Sequence, residues 1–225
     1  MVSEERTSIR VKFSKTGSLK YISHLDLSRT MKSAFLRSKL PIWYTMGFNP
    51  HPKMVFSLPL SVGTASLCEF MDFYLTEKVD LDEVVSRLNA SFPSDLRAIE
   101  AYEPTTRFCD IGFAEYEIRF ITKLCAVEAA ERIPSLFEGD IIVEKTGKAG
   151  TKQVNISPLT KIISSEADGD DVVVNVKLSC GENSFVNPKY IIDHIQANIQ
   201  GILDGGDYMV CRTHVFGADG TTEFR

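Results

Sequence analysis

Three side chains have the types and placement for acid–base work on a phosphodiester: His24, His51 and Lys53. Histidine changes charge near neutral pH, so one ring can take a proton while another gives one. A lysine beside them would stabilise charge developing on phosphorus. His24 falls where a helix should begin, and His51 lies 27 residues further on in a proline-bordered loop. A metal-independent ribonuclease is therefore one reading of these residues. The plain alternative is that Ser23-His24-Leu25-Asp26 forms a helix cap and that each ring is structural.

Metal and cofactor chemistry finds no pattern to support it. The five cysteines, Cys68, Cys109, Cys125, Cys180 and Cys211, are separated by 41, 16, 55 and 31 residues. No two form the close pair that aims thiolates at one ion. They read as reduced, mostly buried thiols. The acidic run Asp168-Gly169-Asp170-Asp171 lacks the bidentate Glu of a calcium loop and reads as a solvated hairpin turn. His194 and His214 stand singly and read as structural. Glu69 and Asp72, three residues apart in a strand, point to opposite sides, so one of them is expected to pair with a basic residue.

Charge is distributed unevenly. The 225-residue chain has a formal net charge of −5, yet residues 1–60 hold ten Lys/Arg against three acids, leaving −12 for the remainder. The same sixty residues carry seven of the 22 aromatics. Cations neutralise phosphates and flat rings stack on bases, so this mixture suits nucleic acid. The expected contacts are Lys15, Lys20, Tyr21, His24, Arg29, Lys32, Phe48, Asn49, His51 and Lys53, with Trp43 as a further stacking ring. A protein–protein adaptor is the third reading, with the acidic half docking a basic partner.

The elements that must position these residues are legible as periodicities. Ile9 to Phe13 alternates as a strand, and Leu27, Met31, Ala34 and Phe35 mark one face of a helix from about His24 to Leu40. Pro41–Thr45, Met54–Leu60 and Cys68–Thr76 read as strands, Asp80 opens a second helix, and Asp95–Tyr102 is a strand. Pro50 and Pro52 stiffen the loop from Gly47 to Lys53. The second half reads as a strand from Glu115, a helix from Ala126 and a short strand at Ile141–Lys145 with a basic turn over Thr146–Lys152. Strands Gln153–Ser165 and Val172–Leu178, a helix from Asn187-Pro188 and a strand Tyr208–Phe216 complete it. The expected class is α+β, as two tandem ferredoxin-like (βαββαβ) modules with helices packed on one face of each antiparallel sheet. The first would span 7–104 and the second, acidic, 112–217, with Pro104–Arg107 as linker. No apolar run reaches the ~20 residues of a membrane span, and Met1–Arg6 does not begin a signal peptide, so a cytoplasmic protein is expected.

Several segments, in order, resemble one family. They are Phe13–Gly17, Ile22–Leu27, Gly47–Lys53, Leu58-Pro59-Leu60 with Val62-Gly63, and Glu69 with Asp72. Together they are similar to the radical SAM-linked family, domain of unknown function 2344, most densely over residues 9–76. Where relatives often show Arg-Pro pairs, this chain has Ser157-Pro158 and Asn187-Pro188, while Arg212-Thr213 keeps a familiar closing pair. The resemblance implies a radical SAM protein with a cobalamin-binding-like region as partner, and an RNA setting (ribosomal or transfer RNA) from the genes that accompany such members. It implies no established activity. The C-x3-C-x2-C pattern of a radical SAM cluster is absent from the sequence, so an accessory module without catalysis, cofactor or metal of its own is the expectation.

Overall fold

The computed structural model describes residues 6–147, 150–181, 184–204 and 206–225. The amino-terminal hexapeptide, apart from its last residue, and the centre of the basic turn within Thr146–Lys152 lie outside the described residues. The chain divides into two compact units, Met1–Phe108 with Arg225, and Cys109–Phe224. It is a mixed α+β fold with antiparallel strand pairing and four α-helices among the described residues.

The first unit contains β1 (Thr7–Lys15), a 3₁₀ turn (Gly17–Tyr21), α1 (His24–Ser38), β2 (Val55–Phe56), β3 (Thr64–Leu75), α2 (Leu81–Ser91) and β4 (Leu96–Tyr102). The strands lie in the order β4-β1-β3-β2, each pair antiparallel, with Arg10 opposite Asp72 on β3 and Tyr102 on β4. α1 begins where Ser23 accepts the Asp26 N–H, and it ends at Lys39, whose left-handed φ of 53° stops the helix. Asp80 caps α2 by accepting from the N–H groups of Asp82 and Glu83. Leu27, Met31 and Phe35 of α1 and Val84 and Leu88 of α2 bury against Ile9, Val11, Phe13, Met71, Phe73 and Leu75. Burying each such side chain is worth about 1.5–3 kcal/mol, which is what holds the helices to the sheet.

Two strand expectations fail here. Pro41–Thr45 makes only the single bridges Ile42–Leu75 and Tyr44–Pro52, and β2 shrinks to two residues. Proline supplies no N–H, so Pro41, Pro50, Pro52 and Pro59 leave too few donors for a ladder.

The second unit contains β5 (Ile111–Ile121), α3 (Ala126–Arg132), β6 (Ile142–Gly147), β7 (Gly150–Asn155), β8 (Thr160–Asp168), β9 (Asp171–Ser179), α4 (Pro188–Asn198) and β10 (Asp207–Gly217). Its sheet order is β10-β5-β9-β8, again antiparallel, and β6-β7 is a separate hairpin. The single strand expected over Gln153–Ser165 is therefore two strands. Ile156 turns to a helical conformation and Pro158 opens a 3₁₀ turn, which breaks the ladder. No helix among the described residues is long and apolar enough to cross a membrane.

Candidate functional site

A closed loop projects from the first unit. Trp43 N–H donates to Tyr74 O at 2.8 Å, and Thr45 N–H donates to His51 O at 2.9 Å. The His51 N–H returns to Thr45 Oγ1 at 3.2 Å, which locks the base of the loop. His51 Nδ1 lies 3.0 Å from Asn49 O, a carbonyl that only accepts, so Nδ1–H donates into its own loop. Gly47 adopts φ 137°, closed to other residues without strain. The result is a tip on which Met46 is 86% exposed and Phe48 is fully exposed. A large bare ring on a stiff loop invites contact, because little conformational freedom is lost when it is covered.

Cations gather behind the tip. The Lys53 ammonium lies 5.6 Å from the Tyr74 ring centre, and the Arg6 guanidinium lies 5.2 Å from Tyr74 and 4.7 Å from Trp43. Tyr74 and Arg6 were not signalled by the local motif; only the register of β3 brings Tyr74 beside the loop.

A second group surrounds the start of α1. Thr16-Gly17-Ser18 clasps Asp95: the Thr16 N–H donates to Asp95 O at 2.9 Å, and the Ser18 N–H and Oγ each donate to Oδ2 at 2.8 Å. The Ser18 hydroxyl is the foremost cause holding the Asp95 carboxyl below its ordinary value. A Cβ on Gly17, at φ 51°, would meet that carboxylate at 2.4 Å, so glycine is required. This clasp presents Tyr21, 64% exposed, with the Lys20 ammonium 5.0 Å from its ring centre. The Gly63 N–H donates to Lys20 O and brings in exposed Val62. His24 is exposed and sits edge-on to Phe56 with ring centres 5.1 Å apart. Phe56 follows the projecting loop in sequence, which ties the two groups together.

The expected contacts differ in how accessible the fold leaves them. Lys15 is 2% exposed and unavailable to a phosphate, since it continues the inward period of Ile9, Val11 and Phe13. Arg10 is 1% exposed and grips Asp72 through two hydrogen bonds of 2.7 and 2.8 Å, so Asp72 pairs with a base as expected of one of the two acids. Arg29 is exposed but held by Asp26 at 2.9 Å, an acid kept below its usual range by Ser23 and then by Arg29. Trp43 is half-buried and already covered by Arg6 and Tyr74. Lys32 is half-buried, and Asn49 is exposed on the loop. Arg10 and Lys15 thus contribute nothing to an exposed positive surface. Nor is the sheet face away from the helices wholly open, because Arg10 and Phe70 are buried there. Among the described residues, no hydrogen bond or ring contact joins His24 to His51.

The second unit uses its polar groups internally. Asp168 and Asp171 hold Arg119 at 2.8 and 3.2 Å across the β8-β9 turn, raising its pKa. His194 Nε2 lies 2.9 Å from Leu136 O, and His214 lies 3.5 Å from Glu115. Buried Arg212 donates to the Tyr116 hydroxyl at 3.2 Å, and burial pushes the nearby Cys180 thiol up. All five cysteines are free, and Cys109 and Cys125 are exposed rather than buried. No cluster of three metal-ligating side chains occurs among the described residues.

The family described as "Uncharacterized protein conserved in bacteria (DUF2344)" matches residues 8–188, and the chain belongs to that family. No curated protein matches the chain. Of solved structures, a chain of the one described as "Crystal Structure of a Cbf5-Nop10-Gar1 Complex" is similar over 92% of this chain, with 13% identity and a TM-score of 0.49. This chain spans about half, 48%, of that one.

Proposed function

We propose that this member of the family is a cytoplasmic, RNA-associated accessory protein that works beside a radical SAM protein with a cobalamin-binding-like region. In this reading the first unit receives unpaired bases of a structured RNA, ribosomal or transfer, on Phe48 and Tyr21. Lys20, Lys53 and Arg6 meet the neighbouring phosphates. Recognition of splayed bases by aromatic rings, with cations alongside, is how single-stranded segments of RNA are held. The observation that carries the reading is the pair of bare aromatic rings, each on a rigidly hydrogen-bonded support, with Lys20 on the Tyr21 ring and Lys53 and Arg6 on Tyr74, whose carbonyl holds Trp43 at the base of the Phe48 loop.

The same reading takes each unit as a ferredoxin-like module, at 7–104 and 112–217. Its support is the shared strand order, β4-β1-β3-β2 and β10-β5-β9-β8, the second interrupted by the β6-β7 hairpin. Catalysis by His24 and His51 acting together gains no support from geometry, since among the described residues no hydrogen bond or ring contact joins them.

A titration of the full chain with labelled stem-loop and fully duplex RNA tests the proposal. Tighter binding of the stem-loop, weakening with salt, is expected. Equal binding of both, or affinity indifferent to salt, would overturn it.

A further inference from the structure

We propose that the groove between α2 and the free edge of β4 docks an extended basic segment of a partner protein, which joins the first unit's sheet as an added strand. β4 ends the strand order, so one side of its backbone faces no neighbour. Such an edge is a template for pairing unless it is covered. Among the described residues, Asn89 covers it at Ala98. Its side-chain amide donates to Ala98 O at 2.9 Å, and its oxygen accepts the Ala98 N–H at 2.8 Å, as a neighbouring strand would. Beyond Ala98, no other hydrogen bond among the described residues reaches the outward side of residues 99–102.

A cavity of about 640 Å³ lies beside that uncovered stretch, lined by Leu81, Val85, Ile99 and Ala101 together with Asp80, Asp82 and Glu100. The floor is apolar, and Ile99 is exposed on it. The rim carries the carboxylates of Asp80 and Asp82. An edge strand beside a helix, with a groove between them, is the geometry in which peptides add a strand, main-chain bonds giving affinity and alternate side chains giving selectivity. Here the alternation asked for is apolar toward the floor and basic toward the rim. This site is separate from the rings of Phe48 and Tyr21 and does not depend on any RNA.

The test uses the full chain and a fluorescent peptide of about eight residues alternating valine and arginine. Its controls are the same peptide N-methylated at alternate residues, and a peptide with glutamate in place of arginine. Saturable binding is expected, with both controls weaker by about tenfold or more. Ile99→Lys, with the thermal midpoint unmoved, and Asp82→Lys, with a small fall in it because a cation replaces an acid in the first turn of α2, should each weaken binding by about tenfold. The proposal is overturned by equal binding of the methylated peptide, by undiminished binding to both variants, or by no saturation at millimolar peptide. It is overturned equally if sedimentation shows two copies joined and Ile99→Lys separates them.

Discussion

Phe48 and Tyr21 contribute little to the fold and, in this account, much to binding, so their removal separates the two effects. Phe48→Ala and Tyr21→Ala should leave the thermal midpoint unchanged while each weakens stem-loop RNA binding by about 1–3 kcal/mol. Tyr102 behaves in the opposite way. Its buried hydroxyl has no hydrogen-bond partner among the described residues, and burial pushes its pKa up to about 12. The unfolded chain ionises this group near pH 10, so between about pH 10 and 12 the unfolded state holds fewer protons than the native state and stability falls as pH rises. Tyr102→Phe should remove that contribution in pH-dependent melting and add up to about 1 kcal/mol near neutrality, because an unsatisfied polar group is gone. Arg10→Ala should cost about 3 kcal/mol in urea unfolding, since it strands the Asp72 carboxylate. Residue types alone showed Tyr21, Lys20 and Phe48 as candidates. They could not separate Lys53 from Lys15, because a charge count places every cation at the surface, whereas the two-residue period of β1 carries Lys15 inward.

At the scale of elements, periodicity located α1, α2, β1, β3 and β4, whose apolar positions repeat cleanly. It failed where proline governs the backbone. Pro158 divides Gln153–Ser165 into β7 and β8, and the prolines around the projecting loop reduce two expected strands to isolated bridges and a dipeptide. The stiffness expected of Gly47–Lys53 appears as the Thr45–His51 lock, which no short-range motif announces because Thr45 lies outside the loop as read from sequence. Gly47→Ala tests the tip: forcing a side chain onto φ 137° should cost about 1 kcal/mol or more, measured by urea unfolding, and should also weaken RNA binding by misplacing Phe48. Asn89→Ala should cost about 1–3 kcal/mol in the same measurement, because Ala98 loses both of its outward partners.

Across the whole molecule, the charge division between the first sixty residues and the rest is real in sequence but misleading as a surface. Arg10 and Lys15 are buried, and Arg29 is neutralised within its own helix. The cations seen against rings in this region are a small set: Lys20 on Tyr21, and Arg6 and Lys53 on Tyr74 at the base of the loop. Three phosphate contacts imply a shallow salt dependence, with log K falling against log salt at a slope of about −2. A steeper slope would mean that cations elsewhere take part. The central claim is that unpaired bases lie on Phe48 and Tyr21. Ultraviolet crosslinking of the full chain to a stem-loop RNA, followed by peptide mass spectrometry, tests it most directly. The account predicts that nucleotide adducts concentrate at Phe48 and Tyr21 and vanish in the double Ala variant; adducts confined to residues beyond 108, or unchanged in that variant, would contradict it.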